Sequence, residues 1–171
     1  VVALGYFAFR PVKNAAIRHV RADPHTFYRG NAAEPESLDP SLVQAIYEDT
    51  IVGDLTLGLI TEAADGSPIP GMAVHWTSDP DGLGWTFTLR DALWSDGAPV
   101  TADDFVFAWR RTVDPKTASF YAYYYYPIKN ARAINAGHLP PDALGITALD
   151  PHTLKSTLEH PVPYMLQMVT N

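Results

Sequence analysis

The spacing of apolar positions divides the first half of the chain into a loop, a helix and tight turns. Apolar side chains recur at steps of three and four between residues 41 and 59, which predicts a helix. A break into two helices at Asp49-Thr50 or at Gly53 is the alternative. The preceding residues 34–40, with prolines near both ends, are typical of a loop, and residues 65–71 predict tight turns.

Two β-hairpins are predicted from alternating apolar and polar residues on both sides of short turns. The first joins residues 76–78 to residues 85–89 through an Asp-Pro-Asp-Gly turn. In its second arm, bulky apolar side chains alternate with threonines, so the apolar ones should share one face of the sheet. The second hairpin joins residues 145–149 to residues 153–158 across an Asp-Pro-His turn, and a short helix should follow at Tyr164–Val169.

The most specific local signal marks a helix that begins after Thr101. Thr101 is a good N-cap residue, and Asp104 stands three positions later, where its side chain can reach back to the start of the helix. Phe105 and Trp109 lie four positions apart and should share a buried face. Asp114-Pro115 should end the helix, because proline cannot continue it.

Composition and charge narrow the class of protein. The chain has 171 residues, of which 47% are hydrophobic and 18% charged, as in a globular domain rather than a disordered segment. Lys and Arg number 12 and Asp and Glu 19, so the net charge of −7 argues against nucleic acid as a partner. The absence of cysteine excludes disulfides and thiol catalysis. The 15 prolines favour short elements joined by fixed turns.

No constellation of residues in the sequence supports an enzyme. The 6 histidines show no metal-ligand spacing, and neither a nucleophile elbow nor a phosphate-binding loop occurs. Asp103 and Asp104 are adjacent, but neighbouring positions on a helix point in different directions. Stabilisation of the helix start therefore explains them better than acid–base catalysis does. We expect no catalytic residues, no metal site and no cofactor.

An aromatic run occupies residues 120–126, where every residue except Ala122 is Phe or Tyr. In an extended conformation, alternate rings would line each face of this segment. Tyrosine combines apolar area with a hydroxyl group, which suits a ligand cleft or a protein interface. A half-buried packing segment with its hydroxyl groups at the surface fits the pattern equally well.

Ordered phrases across most of the chain form a specific pattern. The block W-S-D-G-A-P-V-T-A-D-D-F at residues 94–105 is the most distinctive of them. With the phrases given below, the chain from about Phe27 to Tyr164 resembles the N-terminal part of the family 5 extracellular solute-binding proteins, and among these the oligopeptide-binding proteins of ABC importers. The other phrases are Ser37–Pro40, Gly58–Ile60, Pro70–Ala73, Trp85–Arg90, Asp114–Ser119, Leu149–Leu154 and Pro161–Tyr164.

The resemblance implies a mixed α/β (α+β) fold that is part of the first lobe of a two-lobed periplasmic-binding-protein fold of class II, or cluster C. Residues 26–171 would form the N-terminal portion of the solute-binding domain, namely the first lobe and its extra subdomain. Short strands, hairpins and capped helices are expected there. The second lobe would be missing, and we expect the gene to continue past Asn171.

The function that the resemblance implies is the substrate-binding component of an ABC importer. Such a protein captures oligopeptides outside the cytoplasm and delivers them to a membrane permease without chemistry. It would be periplasmic or otherwise extracytoplasmic, with membrane anchoring as an open alternative, and monomeric when full length. With half of the cleft absent, the 171 residues alone should bind peptide weakly or not at all.

The resemblance also identifies four candidate ligand-binding residues. Gln44, Ala45 and Ile46 stand where similar proteins make main-chain and side-chain contacts with the bound peptide. Gln44 replaces an acidic residue of the best-known relative. Tyr121 matches a tyrosine that lines the peptide cleft. The tryptophans of the hairpin and the capped helix are expected to be structural: Trp85, Trp94 and Trp109.

Other readings of the sequence stay open. A sensory or regulatory protein that uses the same module would carry a winged helix-turn-helix before residue 26, and related sequences bind dipeptides, nickel complexes, haem or sugars. The apolar run Val1–Phe9 is too short to span a bilayer, which needs about 20 residues. Residues 1–25 are therefore interpreted as an export remnant or a connector, and residues 26–29 predict a short strand.

Overall fold

The computed structural model describes His25, residues 30–31 and residues 33–170. The strand predicted at residues 26–29 lies outside these residues, as does almost all of the predicted export remnant or connector. The chain divides into two compact units, residues 1–30 and residues 31–171, and the fold described below is that of the second unit.

A four-stranded antiparallel sheet forms the centre of this unit, with strand order β3-β4-β6-β5. Both predicted hairpins are confirmed, and they join because β4 also pairs with β6. Phe87 and Leu154 face each other across that central pair, and both side chains are fully buried. The strands are β3 (Ala73–Ser78), β4 (Gly84–Leu89), β5 (Ile146–Asp150) and β6 (Thr153–Thr157).

Helix α2 (Ala102–Val113) packs against β5 and β6 and begins where the sequence predicts. The N–H group of Thr101 donates to the carboxylate of Asp104 over 2.7 Å, and Asp114 caps the C-terminal end. Trp109 is buried in the core, as expected of a structural tryptophan. A buried apolar face on α2 therefore completes the core that the sheet begins.

The other two tryptophans behave differently from each other. Trp85 packs at the edge of the core and stacks with Phe87, with 6.4 Å between ring centroids, so its structural role is confirmed. Trp94 lies in the predicted turn at residues 94–97, and 48% of its surface is exposed. The expectation that Trp94 packs with the hairpin and helix is therefore wrong.

Helix α1 (Ile46–Leu55) begins later than the predicted start at Ser41. The carboxylate of Asp39 accepts the N–H group of Ser41 over 3.1 Å, and the carbonyl of Asp39 accepts that of Leu42 over 2.9 Å. These bonds form a turn at residues 39–42, and the helix begins only at Ile46. The helix runs through Asp49-Thr50 and Gly53 without a break.

The apolar side chains of α1 do not form the buried face that their spacing predicts. Ile46 and Leu55 are 82% and 69% exposed, and Glu48 is the helix residue that is buried. Leu59 lies four residues beyond the end of the helix, where it is buried. The period of three and four therefore spans two elements, and their separate packing decides which positions are buried.

A small two-stranded sheet, β1 (Ile60–Glu62) and β2 (Pro68–Pro70), follows α1. Residues 68–70 were predicted to lie in a turn but form the second of these strands. The N–H group of Ile60 donates to the carbonyl of Val169 over 3.3 Å, at the end of helix α4 (Met165–Met168). Helix α4 confirms the short helix that the sequence predicts at residues 164–169. Two further short elements lie between α2 and β5 along the chain, namely helix α3 (Ala131–Asn135) and the 3₁₀ turn Pro141–Ala143.

Candidate functional site

The four residues predicted to bind ligand meet in space, although they come from two distant parts of the chain. Tyr121 directly precedes a 3₁₀ turn at Ala122–Tyr125, and its hydroxyl donates to the main-chain carbonyl of Gln44 over 3.1 Å. Ala45 is the N-cap residue of α1 and Ile46 is its first residue. Gln44 and Ile46 are both exposed. We call these four residues the candidate ligand surface.

The aromatic run is not extended, so the expected alternation of rings on two faces is wrong. Four rings instead come together at the start of the 3₁₀ turn, those of Phe120, Tyr121, Tyr123 and Tyr124. Phe120, Tyr123 and Tyr124 are 63%, 48% and 55% exposed. The ring centroids of Tyr121 lie 5.1 Å from Phe120 and 5.6 Å from Tyr124, and Tyr123 stacks on Tyr124 at 4.7 Å. We call these residues the four-ring cluster.

The last two tyrosines of the run point into the protein and have a structural role. The ring of Tyr125 meets Trp109 edge-on at 5.5 Å, and burial raises the pKa of its hydroxyl. Tyr126 donates its hydroxyl hydrogen to Asn135 over 2.8 Å, and the guanidinium of Arg132 lies 4.7 Å from its ring centroid. These two tyrosines therefore pack within the protein, whereas a ligand role for the exposed rings of the run stays a prediction.

Glu48 organises the segment that carries Gln44 and Ala45, and sequence reasoning missed it. Its side chain is only 2% exposed. One carboxylate oxygen accepts the N–H groups of Gln44 at 2.9 Å and Ala45 at 3.2 Å, and the other accepts those of Glu36 at 2.7 Å and Ser37 at 3.3 Å. The hydrogen bond from Gln44, followed by the other three, holds the pKa of Glu48 below its usual range in spite of burial.

A signal for Glu48 exists in the sequence. Glutamate is favoured at the third position of a helix, from which it reaches back to the N-cap N–H group. Glu48 holds that position in α1. The helix predicted from residue 41 places Glu48 in its interior instead, so the signal is visible only once the true start of the helix is known.

A second set of contacts fastens the loop before α1 to helix α2. The guanidinium of Arg111 donates to both carboxylate oxygens of Asp39, at 2.6 and 2.5 Å. This hydrogen-bonded pair lowers the pKa of Asp39 below its ordinary value. The buried hydroxyls of Ser41 and Thr112 are also hydrogen-bonded, 3.0 Å apart. The loop that leads to the candidate ligand surface is therefore joined to α2 at two points, through Asp39 and through Ser41.

A shallow groove of about 390 Å³ along α2 is separate from the candidate ligand surface. It carries acidic and basic groups side by side, and it includes Phe107, which is 68% exposed. None of the four predicted ligand residues borders it. Its lining residues are Asp103, Val106, Phe107, Arg110, Arg111, Asp114 and Pro141.

Two further kinds of site were sought in the part of the chain that the structure describes. Three or more His, Asp or Glu side chains do not come together there in a way that could hold a metal ion. None of the helices described is at once long enough and apolar enough to cross a bilayer.

The sequence matches a known family and individual proteins within it. Residues 67–171 match the family model of bacterial extracellular solute-binding proteins, family 5 Middle. The chain is 46% identical over 153 residues to the periplasmic oligopeptide-binding protein OppA of Escherichia coli. The aligned residues cover 88% of this chain and 28% of OppA. The chain is 44% identical over 155 residues to the periplasmic murein peptide-binding protein MppA of the same organism, covering 89% and 29%. The chain therefore spans less than a third of these relatives.

The fold is similar to solved structures of the same kind. OppA of Haemophilus influenzae in complex with RPPGFSPFR matches with a TM-score of 0.79 and 45% identity, covering 82% of this chain and 28% of that one. The expected mixed α/β architecture, a portion of a periplasmic-binding-protein fold, is confirmed. The matched residues, the identity and the fold agree: the chain belongs to family 5 of the bacterial extracellular solute-binding proteins.

Proposed function

We propose that this chain is part of the substrate-binding component of an ABC importer, which captures oligopeptides and delivers them to a membrane permease. Its similarity to OppA and MppA, both named as periplasmic peptide-binding proteins, supports the proposal. The H. influenzae relative is solved with the peptide RPPGFSPFR. On this proposal the protein acts outside the cytoplasm, performs no chemistry, and has a peptide and a permease as its partners.

One observation carries the assignment of the site. The hydroxyl of Tyr121 meets the carbonyl of Gln44, so the two segments proposed to bind peptide share one surface. Ile46 and the four-ring cluster add exposed apolar area to that surface. Exposed apolar side chains next to main-chain groups are what a peptide of varied sequence requires.

The geometry indicates which groups are free to meet a peptide. The N–H groups of Gln44 and Ala45 are occupied by Glu48, so they do not serve as donors to a ligand. The exposed side-chain amide of Gln44 has both donor and acceptor atoms and can pair with a peptide main chain. Ile46 and the four-ring cluster would pack against peptide side chains, with water adapting the remaining hydrogen bonds.

A titration followed by nuclear magnetic resonance tests the proposal. The ¹⁵N-labelled 171-residue chain is titrated with RPPGFSPFR into the millimolar range, since a Kd of about 1 mM still corresponds to about 4 kcal/mol of binding free energy. We expect saturable shift changes at residues 44–46 and 121–124. Saturable shift changes at other residues of the folded chain, with both segments unaffected, would contradict the proposal.

A further inference from the structure

We propose that Glu48 is a positioning residue of the candidate ligand surface. Its carboxylate and the hydroxyl of Tyr121 hold the two ends of a single peptide group, the one that joins Gln44 to Ala45. The inference rests on the proposed function, and it adds a residue that does not itself meet the ligand but sets the geometry of those that do.

The planarity of the peptide group links the two contacts. In a trans peptide the C=O and N–H bonds point in opposite directions and are held in one plane. The N–H end of this group, on Ala45, donates to Glu48 over 3.2 Å. The C=O end, on Gln44, accepts the hydroxyl of Tyr121 over 3.1 Å. Fixing the N–H end therefore also fixes the direction in which the Gln44 carbonyl points.

The same carboxylate closes the loop that leads into the surface. One oxygen binds the N–H groups of Glu36 and Ser37, and the other binds those of Gln44 and Ala45. The two ends of the loop are thus joined through one buried side chain. Four hydrogen bonds to one charged acceptor hold the loop in this conformation, since bonds to an ionised group are stronger than neutral ones.

Only an ionised carboxylate suits this position. It offers two acceptor oxygens, whereas the amide of a glutamine offers one acceptor oxygen and one NH₂ group. In a Glu48→Gln chain, the NH₂ group would face two N–H donors that it cannot accept. Either the pair at Glu36 and Ser37 or the pair at Gln44 and Ala45 would lose its partner.

Asp104 supplies a matched control on the other long helix. It holds the third position of α2, as Glu48 does in α1, and it accepts the N–H group of Thr101 over 2.7 Å. Among the described residues, its side chain bonds Thr101 rather than Gln44, Ala45 or Tyr121, and it caps a helix that packs on the sheet. Asp104→Asn therefore weakens a comparable helix-start contact, because a neutral amide oxygen replaces the charged acceptor, and it leaves the candidate ligand surface unchanged.

The experiment compares the wild-type chain, Glu48→Gln and Asp104→Asn in the titration with RPPGFSPFR, at a temperature where all three are folded. We expect Glu48→Gln to weaken peptide binding about tenfold, as the loss of a charge-assisted hydrogen bond does. The amide proton resonances of Gln44 and Ala45 should move upfield and exchange faster with solvent. Asp104→Asn should lower the melting temperature and leave peptide binding unchanged.

Two outcomes overturn the inference, and they are distinct. Peptide binding by Glu48→Gln that equals that of the wild-type chain would show that Glu48 is structural only. A wild-type chain whose peptide-dependent shifts saturate at other residues, and not at residues 44–46 and 121–124, would contradict the proposed function, and the inference with it. If Glu48→Gln does not fold, Glu48→Asp keeps the charge with a shorter reach and should bind peptide less tightly than wild type; equal binding would again overturn the inference.

Discussion

The guanidinium of Arg111 meets both carboxylate oxygens of Asp39, at 2.6 and 2.5 Å, and so ties the loop before α1 to the last turn of α2. The pair is only partly exposed, with 35% and 30% of the two side chains open to solvent. Planar guanidinium and carboxylate groups match each other in this two-pronged geometry. The candidate ligand surface, which follows this loop, therefore depends on a charge pair that is 72 residues apart in the chain.

This pair predicts a stability that declines in acid. The hydrogen bonds from Arg111 lower the pKa of Asp39, so the stabilisation is present at neutral pH and is lost as the pH falls below about 4. We expect Asp39→Asn to lower the free energy of unfolding at pH 7 by about 1 kcal/mol, as for a well-formed surface pair. Urea unfolding measured between pH 7 and pH 2 should show the difference from wild type shrinking in acid.

The control for this pair is Asp103→Asn, which alters an exposed carboxylate on α2, the helix that also carries Arg111. That variant should keep the acid dependence of the wild-type chain. A constant difference between Asp39→Asn and wild type down to the lowest pH would contradict the assignment of the effect to the Asp39 carboxylate.

Tyr121→Phe should weaken peptide binding more than it weakens the fold. The change removes the hydroxyl that holds the Gln44 carbonyl but keeps the ring within the four-ring cluster. A lost neutral hydrogen bond costs about 1 kcal/mol, so we expect a severalfold loss of affinity for RPPGFSPFR in the NMR titration. Tyr126→Phe removes an inward hydroxyl bonded to Asn135 and should lower stability alone. Equal loss of affinity in both variants would contradict a specific role for Tyr121.

Ile46→Ser separates binding from stability. Because 82% of the Ile46 surface is exposed, its replacement should change the free energy of unfolding by no more than about 0.5 kcal/mol. Peptide affinity should nevertheless fall, since Ile46 supplies apolar area to the candidate ligand surface. Leu55→Ser, at the other end of α1 and 69% exposed, should leave affinity as it is. The proposed surface is misplaced if the Leu55 variant, and not the Ile46 variant, loses binding.

Substitution by alanine should change the stability of the fold in opposite directions at Gly71 and at Gly53. A Cβ atom at Gly71 would lie 2.4 Å from the carbonyl oxygen of Gly58 and 3.0 Å from that of Leu59, so main chain must move. We expect Gly71→Ala to cost on the order of 2 kcal/mol. Gly53 lies within α1 with open space around its Cα atom, so Gly53→Ala should stabilise the chain by about 0.5–1 kcal/mol. Thermal unfolding of both variants tests the pair, and a similar shift in both would contradict the argument.

Short-range signals in the sequence predicted most of the fold correctly. The two hairpins follow from turn residues flanked by alternating side chains, and the start of α2 follows from Thr101 and Asp104. Each of these signals acts within a few positions along the chain. The start of α1 was predicted wrongly because apolar spacing does not distinguish the turn at residues 39–42 from the helix that begins at Ile46.

The candidate ligand residues came from resemblance and not from periodicity. The aromatic run by itself left two interpretations open, and the 3₁₀ turn at Ala122–Tyr125 exposes Tyr123 and Tyr124 while Tyr125 packs against Trp109. Glu48 was missed because its role depends on the four N–H groups around its carboxylate, two of which, on Glu36 and Ser37, lie at the far end of the loop. That arrangement is created only when the loop closes.

The sequence by itself determined the family, the hairpins, the capped helix α2 and the absence of cysteine chemistry, because each of these rests on residue identity or on neighbours along the chain. Tertiary structure alone decided that Tyr121 meets the Gln44 carbonyl, that Arg111 meets Asp39, and that α1 buries a charge while exposing Ile46. Contacts across 77 or 72 residues depend on how α2 and the sheet pack, and packing is a property of the whole core rather than of any segment.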